Sequence, residues 1–256
     1  MYDATLRAEK RPVMTGDGSQ TLYSAEFGET YHSDKDGALH ESLQKHVLSA
    51  FQIKGNKQKL LILDICFGLG YNTLATLYYA KKENLSTQIH IVSPELDREL
   101  VESLASFAYP KEFANLKPII EALSQKYYYE DEQFKIEILI GDARKVIPQL
   151  KEQFDIVYQD PFSPAHNPLL WTREYFAQIR KVMKEDAILT TYSIAANVRM
   201  GLYENGFNLF MLSGEKIRSW MVASPQMLED LEYIDMELKK KRNPDARSLR
   251  DEMFER

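Results

Sequence analysis

"KLLILDICFGLGYNTL", residues 59–74, runs from an unbroken apolar stretch through two closely spaced glycines into helix-forming sequence. The apolar run reads as a strand buried on both faces, and Gly68 and Gly70 let the backbone turn tightly behind it. Such a turn leaves backbone N–H groups exposed at the start of the following helix, which suits a polar or anionic ligand. In open α/β sheets ligands bind beyond the carboxyl ends of the strands, and this turn occupies that place.

The pattern repeats outward. Strand candidates recur at "QIHIVS" (88–93), "FKIEILI" (134–140), "FDIVYQ" (154–159) and "AILTTYS" (187–193). Helical stretches lie between them, at about 71–83, 95–107, 113–127, 143–151, 172–184 and 195–204. Short apolar strands alternating with helices imply a mostly parallel sheet covered on both faces. Two more strands, near 207–212 and 217–223, close it with an antiparallel edge, giving a seven-stranded, doubly wound α/β fold. Ahead of the sheet, "TLYSAEFGETYHS" (21–33) reads as a short hairpin between the turn signals "TGDGS" and "SDKDG". Leu39, Leu43, Val47, Leu48 and Phe51 recur at helical spacing from Ala38 to Phe51. The division expected is an N-terminal cover segment and helix (1–55), a Rossmann-like core (56–224) and a charged tail (225–256), all within one domain. The tail reads as a helix followed by a frayed end.

The composition, 44% hydrophobic and 27% charged over 256 residues, is that of a soluble globular protein. No segment approaches the roughly 20 apolar residues of a membrane helix. "MYDATLRAEKRPV" lacks the apolar core of a signal peptide, so a cytoplasmic location is expected. Cys66 is the only cysteine, which rules out an internal disulfide and argues against a zinc cluster; no metal is expected. A net charge of −6 is unlike that of a strongly basic nucleic-acid binder, although binding depends on a local patch rather than on the total.

Acids end the next strands too. "SPELD" places Glu95 and Asp97 where a carboxylate reaches ribose hydroxyls, and "IGDARKV" places Asp142 where one reaches a base amine. Thr73 stands where the dinucleotide fingerprint needs its third glycine, so a nucleoside such as S-adenosylmethionine fits better than NAD. The fourth strand ends at Asp160, and the loop behind it, "DPFSPAHNPLLWT", carries Pro161, Pro164 and Pro168. Three prolines restrict that loop, and a restricted loop holds reactive groups in place before the reaction begins. Asp160-Pro161-Phe162 resembles the acid-or-amide, proline, aromatic signature of amino-group methyltransferases. A carboxylate there accepts N–H bonds from a neutral amine and aims its lone pair at an electrophilic methyl. The alternative is an acid that caps the next helix beside turn-forming prolines. Phe162 and Trp171 read equally as core or as substrate platforms, and His166 and Asn167 as surface or site. Tyr31, His32, Ser33 and Glu41 form either a cover strand and helix start or a lid facing inward.

Taken together, "TLYSAEFGETYHS…GALHES…HV", "CFGLGYNTL", "PELD", "GDARKVIPQL" and "DPFSPAHNPLLWT" resemble the methyltransferase domain of the MnmC family, also found as a stand-alone enzyme (MnmD), over roughly residues 12–223. The resemblance implies a class I, Rossmann-like fold, a monomer, and S-adenosylmethionine as donor. The implied substrate is the 5-aminomethyl group of 2-thiouridine at the tRNA wobble position in the anticodon stem-loop. It puts donor contacts on Phe67, Gly68, Gly70, Asn72, Glu95, Asp142 and Asp160, and the catalytic acid on Asp160. Tyr31, His32, Phe162, Asn167 and Trp171 are then expected at the substrate, with Lys216 and Arg218 as phosphate contacts; Arg180 and Lys181 could serve the same way but read better as a solvated face. The sequence departs from the family in having Asp-Pro-Phe for Asp-Gly-Phe, Cys66-Phe67 and Leu69 in the glycine loop, and a basic stretch reduced to "GEKIRSWM". No oxidase domain follows, so methyl transfer alone is expected. A polyamine aminopropyltransferase and a non-catalytic nucleoside-binding protein remain as alternatives.

Overall fold

The computed structural model describes residues 9–254; the first eight residues of the expected cover segment and the last two of the tail lie outside the described residues. The chain opens with a three-stranded antiparallel sheet of β1 (Lys10–Met14), β2 (Gln20–Ser24) and β3 (Glu29–Thr30). The expected hairpin is β2–β3, with Tyr23 opposite Thr30, and β1 extends it beyond the "TGDGS" turn. Helix α1 then covers residues 38–54, three residues longer than its apolar periodicity marks. Its middle, Ser42–Leu48, is π-helical, a widened turn of the kind that recurs at functional sites.

The main sheet takes β4 (Lys59–Ile65), β5 (Gln88–Glu95), β6 (Tyr128–Glu130), β7 (Phe134–Ile140), β8 (Phe154–Gln159), β9 (Met183–Thr191), β10 (Asn208–Gly214), β11 (Ile217–Ser224) and β12 (Glu232–Tyr233). Their order is β12-β10-β11-β9-β8-β4-β5-β7-β6. The five central strands pair in parallel and the outer ones antiparallel. The expected seven strands are therefore present, but the sheet has nine: β6 and β12 are edge pieces of three and two residues, too short to show a period.

Helices α2 (Tyr71–Lys82), α3 (Arg98–Ser103), α4 (Lys117–Lys126), α5 (Ala143–Val146), α6 (Arg173–Val182), α7 (Ala196–Tyr203) and α8 (Met236–Arg242) connect and follow these strands. Strand alternation divides the interior into two cores. Ile62, Ile91 and Ile136 join α2 and α4, whereas Leu63, Ile65 and Val157 join α6 and α7. Among the described residues no helix is long and apolar enough to cross a membrane.

The tail corrects one expectation. Beyond α8 it does not fray within the described residues: Leu249 bridges to Thr172, Arg250 Nε lies 2.5 Å from Glu174, and Asp251 pairs with Arg144. Successive crossovers run from β4 out through β5 to β7 and then return to β8 on the other side of β4. That reversal opens a crevice between the carboxyl ends of β4 and β8, where such folds bind ligands.

Candidate active site

The crevice holds a cavity of about 510 Å³, within the range of small-molecule sites. Its floor is the turn after β4. Gly68 (φ +54°) and Gly70 (φ +72°) both adopt the left-handed region, and Gly70 caps α2 from it. A Cβ on Gly70 would lie 2.7 Å from the Phe67 ring, and one on Gly68 would lie 3.2 Å from the Tyr31 ring. Phe67, Gly68 and Asn72 line the cavity; Gly70 shapes the turn from behind it.

Glu95 is the last residue of β5 and is buried. Its two oxygens accept the N–H groups of Gly68 and Asp97, each at 2.7 Å, so this carboxylate stitches the glycine turn to the neighbouring strand end. Burial pushes its carboxyl up, against the pull of those backbone donors. The Leu96 N–H also reaches this carboxylate, which still has capacity left to accept a hydroxyl. Asp97 instead caps α3, accepting from Leu100 N at 3.0 Å. Asp142 both lines the cavity and caps α5, accepting from Arg144 N at 2.9 Å. The capping role weighed for Asp160 falls instead to Thr172, which caps α6 by accepting from Tyr175 N.

Asp160 faces the cavity just past β8. Asn72 Nδ2 donates to its Oδ2 at 2.8 Å, and His46 Nε2 lies 3.5 Å from its Oδ1. Burial alone would raise its carboxyl. The neighbouring imidazoles of His46 and His32 and the hydrogen bond from the Asn72 amide outweigh that and hold it below the usual carboxylate range. His32 lines the cavity and meets Thr21 Oγ1 at 3.1 Å through Nδ1. Burial pushes its imidazole down, although the charges of Asp160 and Glu41 resist, so it stays neutral at physiological pH.

Behind Asp160 lies Asp64, the acid of the opening motif, whose Oδ2 accepts from Thr73 Oγ1 at 2.7 Å. Its Oδ1 and the Oδ1 of Asn72 are both buried without a partner. Asn72 must turn its N–H toward ionised Asp160, so a proton on Asp64 is what relieves two unpaired acceptors. Burial indeed pushes this carboxyl up to about 7, with Asp160 adding to the rise and Thr73 opposing it. A carboxyl raised in the folded state holds a proton that the unfolded chain releases, so stability falls as pH climbs from about 4 to about 7 and then levels off. Asp64→Asn is therefore expected to stabilise the protein by roughly 2–4 kcal/mol at pH 8 and by progressively less toward pH 4.5. Thermal unfolding at the two pH values checks this, and an equal effect at both would contradict it.

The proline-rich loop is fastened at successive carbonyls. Tyr192 Oη donates to Pro161 O at 2.9 Å, and Trp171 Nε1 donates to Phe162 O at 2.8 Å. From the other side, Glu29 of β3 accepts from both the N–H (2.9 Å) and the hydroxyl of Ser163, and the His166 ring meets Phe27 O. Phe162 stacks on Phe27 with centroids 4.3 Å apart and meets the edge of Tyr31 at 4.8 Å. Phe162, Tyr31, His166 and Asn167 line the cavity, which resolves the N-terminal segment as an inward-facing cover.

Trp171 requires a correction. It is wholly buried, packs on Phe176 and Tyr192, and supports the loop from the core instead of presenting a platform to substrate. Lys216 and Arg218 lie outside the cavity, on the β10–β11 hairpin, where Arg218 meets Ser33 Oγ at 3.2 Å and Asp36 at 3.5 Å. Arg180 pairs with Glu185 near the opposite end of the sheet, and Lys181 lies beside it. Sequence reasoning assigned no role to His46, Asp64, Phe27 or Glu29. Asp64 occupies the same strand-end position as the other acids, which was the available signal. His46 stands in the "HV" of the family resemblance, but nothing along the chain shows that it faces Asp160.

Comparison with known proteins agrees with this geometry. Residues 108–223 match a family of S-adenosyl-L-methionine-dependent methyltransferases. The structure of MnmC2 from Aquifex aeolicus superposes with a TM-score of 0.83 at 30% identity, covering 96% of this chain and 80% of that one. The bifunctional tRNA 5-methylaminomethyl-2-thiouridine biosynthesis protein MnmC of Azoarcus sp. is 34% identical over 206 residues, 74% of this chain and 31% of that protein. An uncharacterised protein of Methanocaldococcus jannaschii is 30% identical over 212 residues, 79% of this chain and 55% of its own length. The chain thus spans about half the length of the archaeal relative and about a third of the bifunctional one.

Proposed function

Because this chain belongs to the MnmC-like family of S-adenosyl-L-methionine-dependent methyltransferases, we propose that it N-methylates the 5-aminomethyl group of uridine, or 2-thiouridine, at the tRNA wobble position. The observation that carries this reading is a carboxylate, Asp160, kept ionised at the mouth of a nucleoside-sized cavity and roofed by aromatic rings. The cavity fits the donor. Glu95 would take the ribose hydroxyls, Asp142 would face the adenine, and the turn around Gly68 would hold the polar end. When bound, S-adenosylmethionine supplies an electrophilic methyl on a sulfonium.

The protein's own groups do the rest. Asp160 accepts an N–H of the incoming aminomethyl group and orients its lone pair, favouring the uncharged amine. Asn72 fixes one oxygen of that carboxylate, and the His46 ring faces the other. Neutral His32 adds no competing positive charge near the amine. Phe162 and Tyr31 offer apolar faces to a base turned out of its stack, as readers of single-stranded RNA do. Lys216 and Arg218 stand on a hairpin beside the cover segment, a position suited to anticodon-stem phosphates. Aminopropyl transfer to a diamine would need a second acid close behind Asp160, where the chain instead runs Pro161-Phe162-Ser163-Pro164.

Mass spectrometry of wobble nucleosides from cells with and without the gene tests the reading. Loss of 5-methylaminomethyluridines with gain of the 5-aminomethyl precursor is expected. Unchanged nucleosides would overturn it.

A further inference from the structure

The C-terminal segment does something the methyltransferase reading leaves unused. Among the described residues, two of the exposed large apolar side chains, Leu96 and Phe254, line the same cavity. Leu96 follows Glu95 directly, and Phe254 belongs to the tail. The other residues at that end of the cavity include Asp142, Ala143 and Arg144, the start of α5.

The tail does not reach the cavity by chance of a loose end. Arg173 N donates to Leu249 O at 2.8 Å, and Asp251 N donates to Glu174 Oε2 at 3.0 Å. Arg250 pairs with Glu174, and the Asp251 carboxylate takes the guanidinium of Arg144. A single helical turn, Asp251–Met253, then leads to Phe254, whose N–H donates to Asp251 O at 2.9 Å. The anchor is therefore the same short turn that carries Asp142: Arg144 N satisfies the Asp142 side chain while the Arg144 side chain holds the tail. These fastenings set the Phe254 ring, about a third exposed, against the cavity.

We infer that residues 249–254 form a strap completing the purine subsite of the donor, with Phe254 supplying an aromatic wall beside Asp142 and Leu96 an aliphatic one. The ligand class is a purine nucleoside. This rests on the donor assignment above and adds to it a contact that lies outside the sheet-end motifs. Stacking on an aromatic side chain is sequence-tolerant and strong enough to register as about a tenfold change in affinity.

Calorimetry with S-adenosylhomocysteine and with adenosine as separate probes tests the strap. Phe254→Ala is expected to weaken both by about tenfold, with Phe254→Tyr near the parent affinity and Asp251→Asn in between. Unfolding temperatures of the variants, read in parallel, keep a folding defect apart from a lost contact; if the alanine variant unfolds early, the tyrosine and asparagine variants decide. Affinities unchanged in Phe254→Ala, or weakened for S-adenosylhomocysteine but not for adenosine, would overturn the inference. Failure of the parent protein to bind either probe would instead overturn the donor reading itself.

Discussion

Replacing Asp160 with alanine is expected to lower methyl transfer to tRNA by about 10²–10⁴-fold while S-adenosylhomocysteine binds nearly as before. The size follows from what the carboxylate does. It orients the amine and favours its uncharged form, two contributions made on the way to the transition state rather than in holding the donor. Its environment is tuned for that work: burial would neutralise it, but the His46 imidazole and the Asn72 amide beside it hold its carboxyl down. Asp160→Asn is expected to fall between, since an amide oxygen still accepts an N–H bond but carries no charge. Single-turnover rates at saturating donor separate this from a binding defect, and a rate within threefold of the parent in Asp160→Ala would refute the role.

Glu95→Ala should show the opposite division. The substitution removes the acceptor for two buried backbone N–H groups as well as the partner proposed for the ribose. Leaving a buried donor unsatisfied costs about 1–3 kcal/mol, and a hydrogen bond to a charged group contributes a similar amount. Donor affinity is therefore expected to drop by at least about 30-fold, with KM for the donor rising in step. At saturating donor kcat should change little, because Glu95 does not touch Asp160 or the amine. A fall in kcat without a change in donor affinity would count against this assignment.

The contrast between these two acids shows what the sequence could reveal. Both stand at strand ends, and strand ends were legible because buried parallel strands are continuous apolar runs bounded by turn residues. The succession of β4, β5, β7 and β8 along the chain and the glycine turn between β4 and α2 follow from that pattern. What one-dimensional spacing does not carry is contact across the fold. His46 reaches Asp160 from α1, more than a hundred residues away, through a widened turn that ordinary helical periodicity does not mark. Trp171 looked like a platform because it follows a proline-rich loop, yet the space available to an indole there lies in the core, with its N–H on Phe162 O. Glu29 and Phe27 brace that loop from a hairpin that the sequence marks, but whose docking on the loop it does not. The short edges β6 and β12 were invisible for a simpler reason: two or three residues cannot display a period of two. The charged tail hid its strap because ion pairs to Glu174 and Arg144 are indistinguishable, along the chain, from a solvated face.

The most direct measurement is transfer of an isotopically labelled methyl group. Purified protein, labelled S-adenosylmethionine and tRNA from cells lacking the wobble methylation are combined, and the digested nucleosides are weighed. The label should appear on the exocyclic nitrogen of 5-methylaminomethyluridine or its 2-thio form, and should vanish with Asp160→Ala. Label on a ring atom, on ribose or on no nucleoside at all would contradict the account.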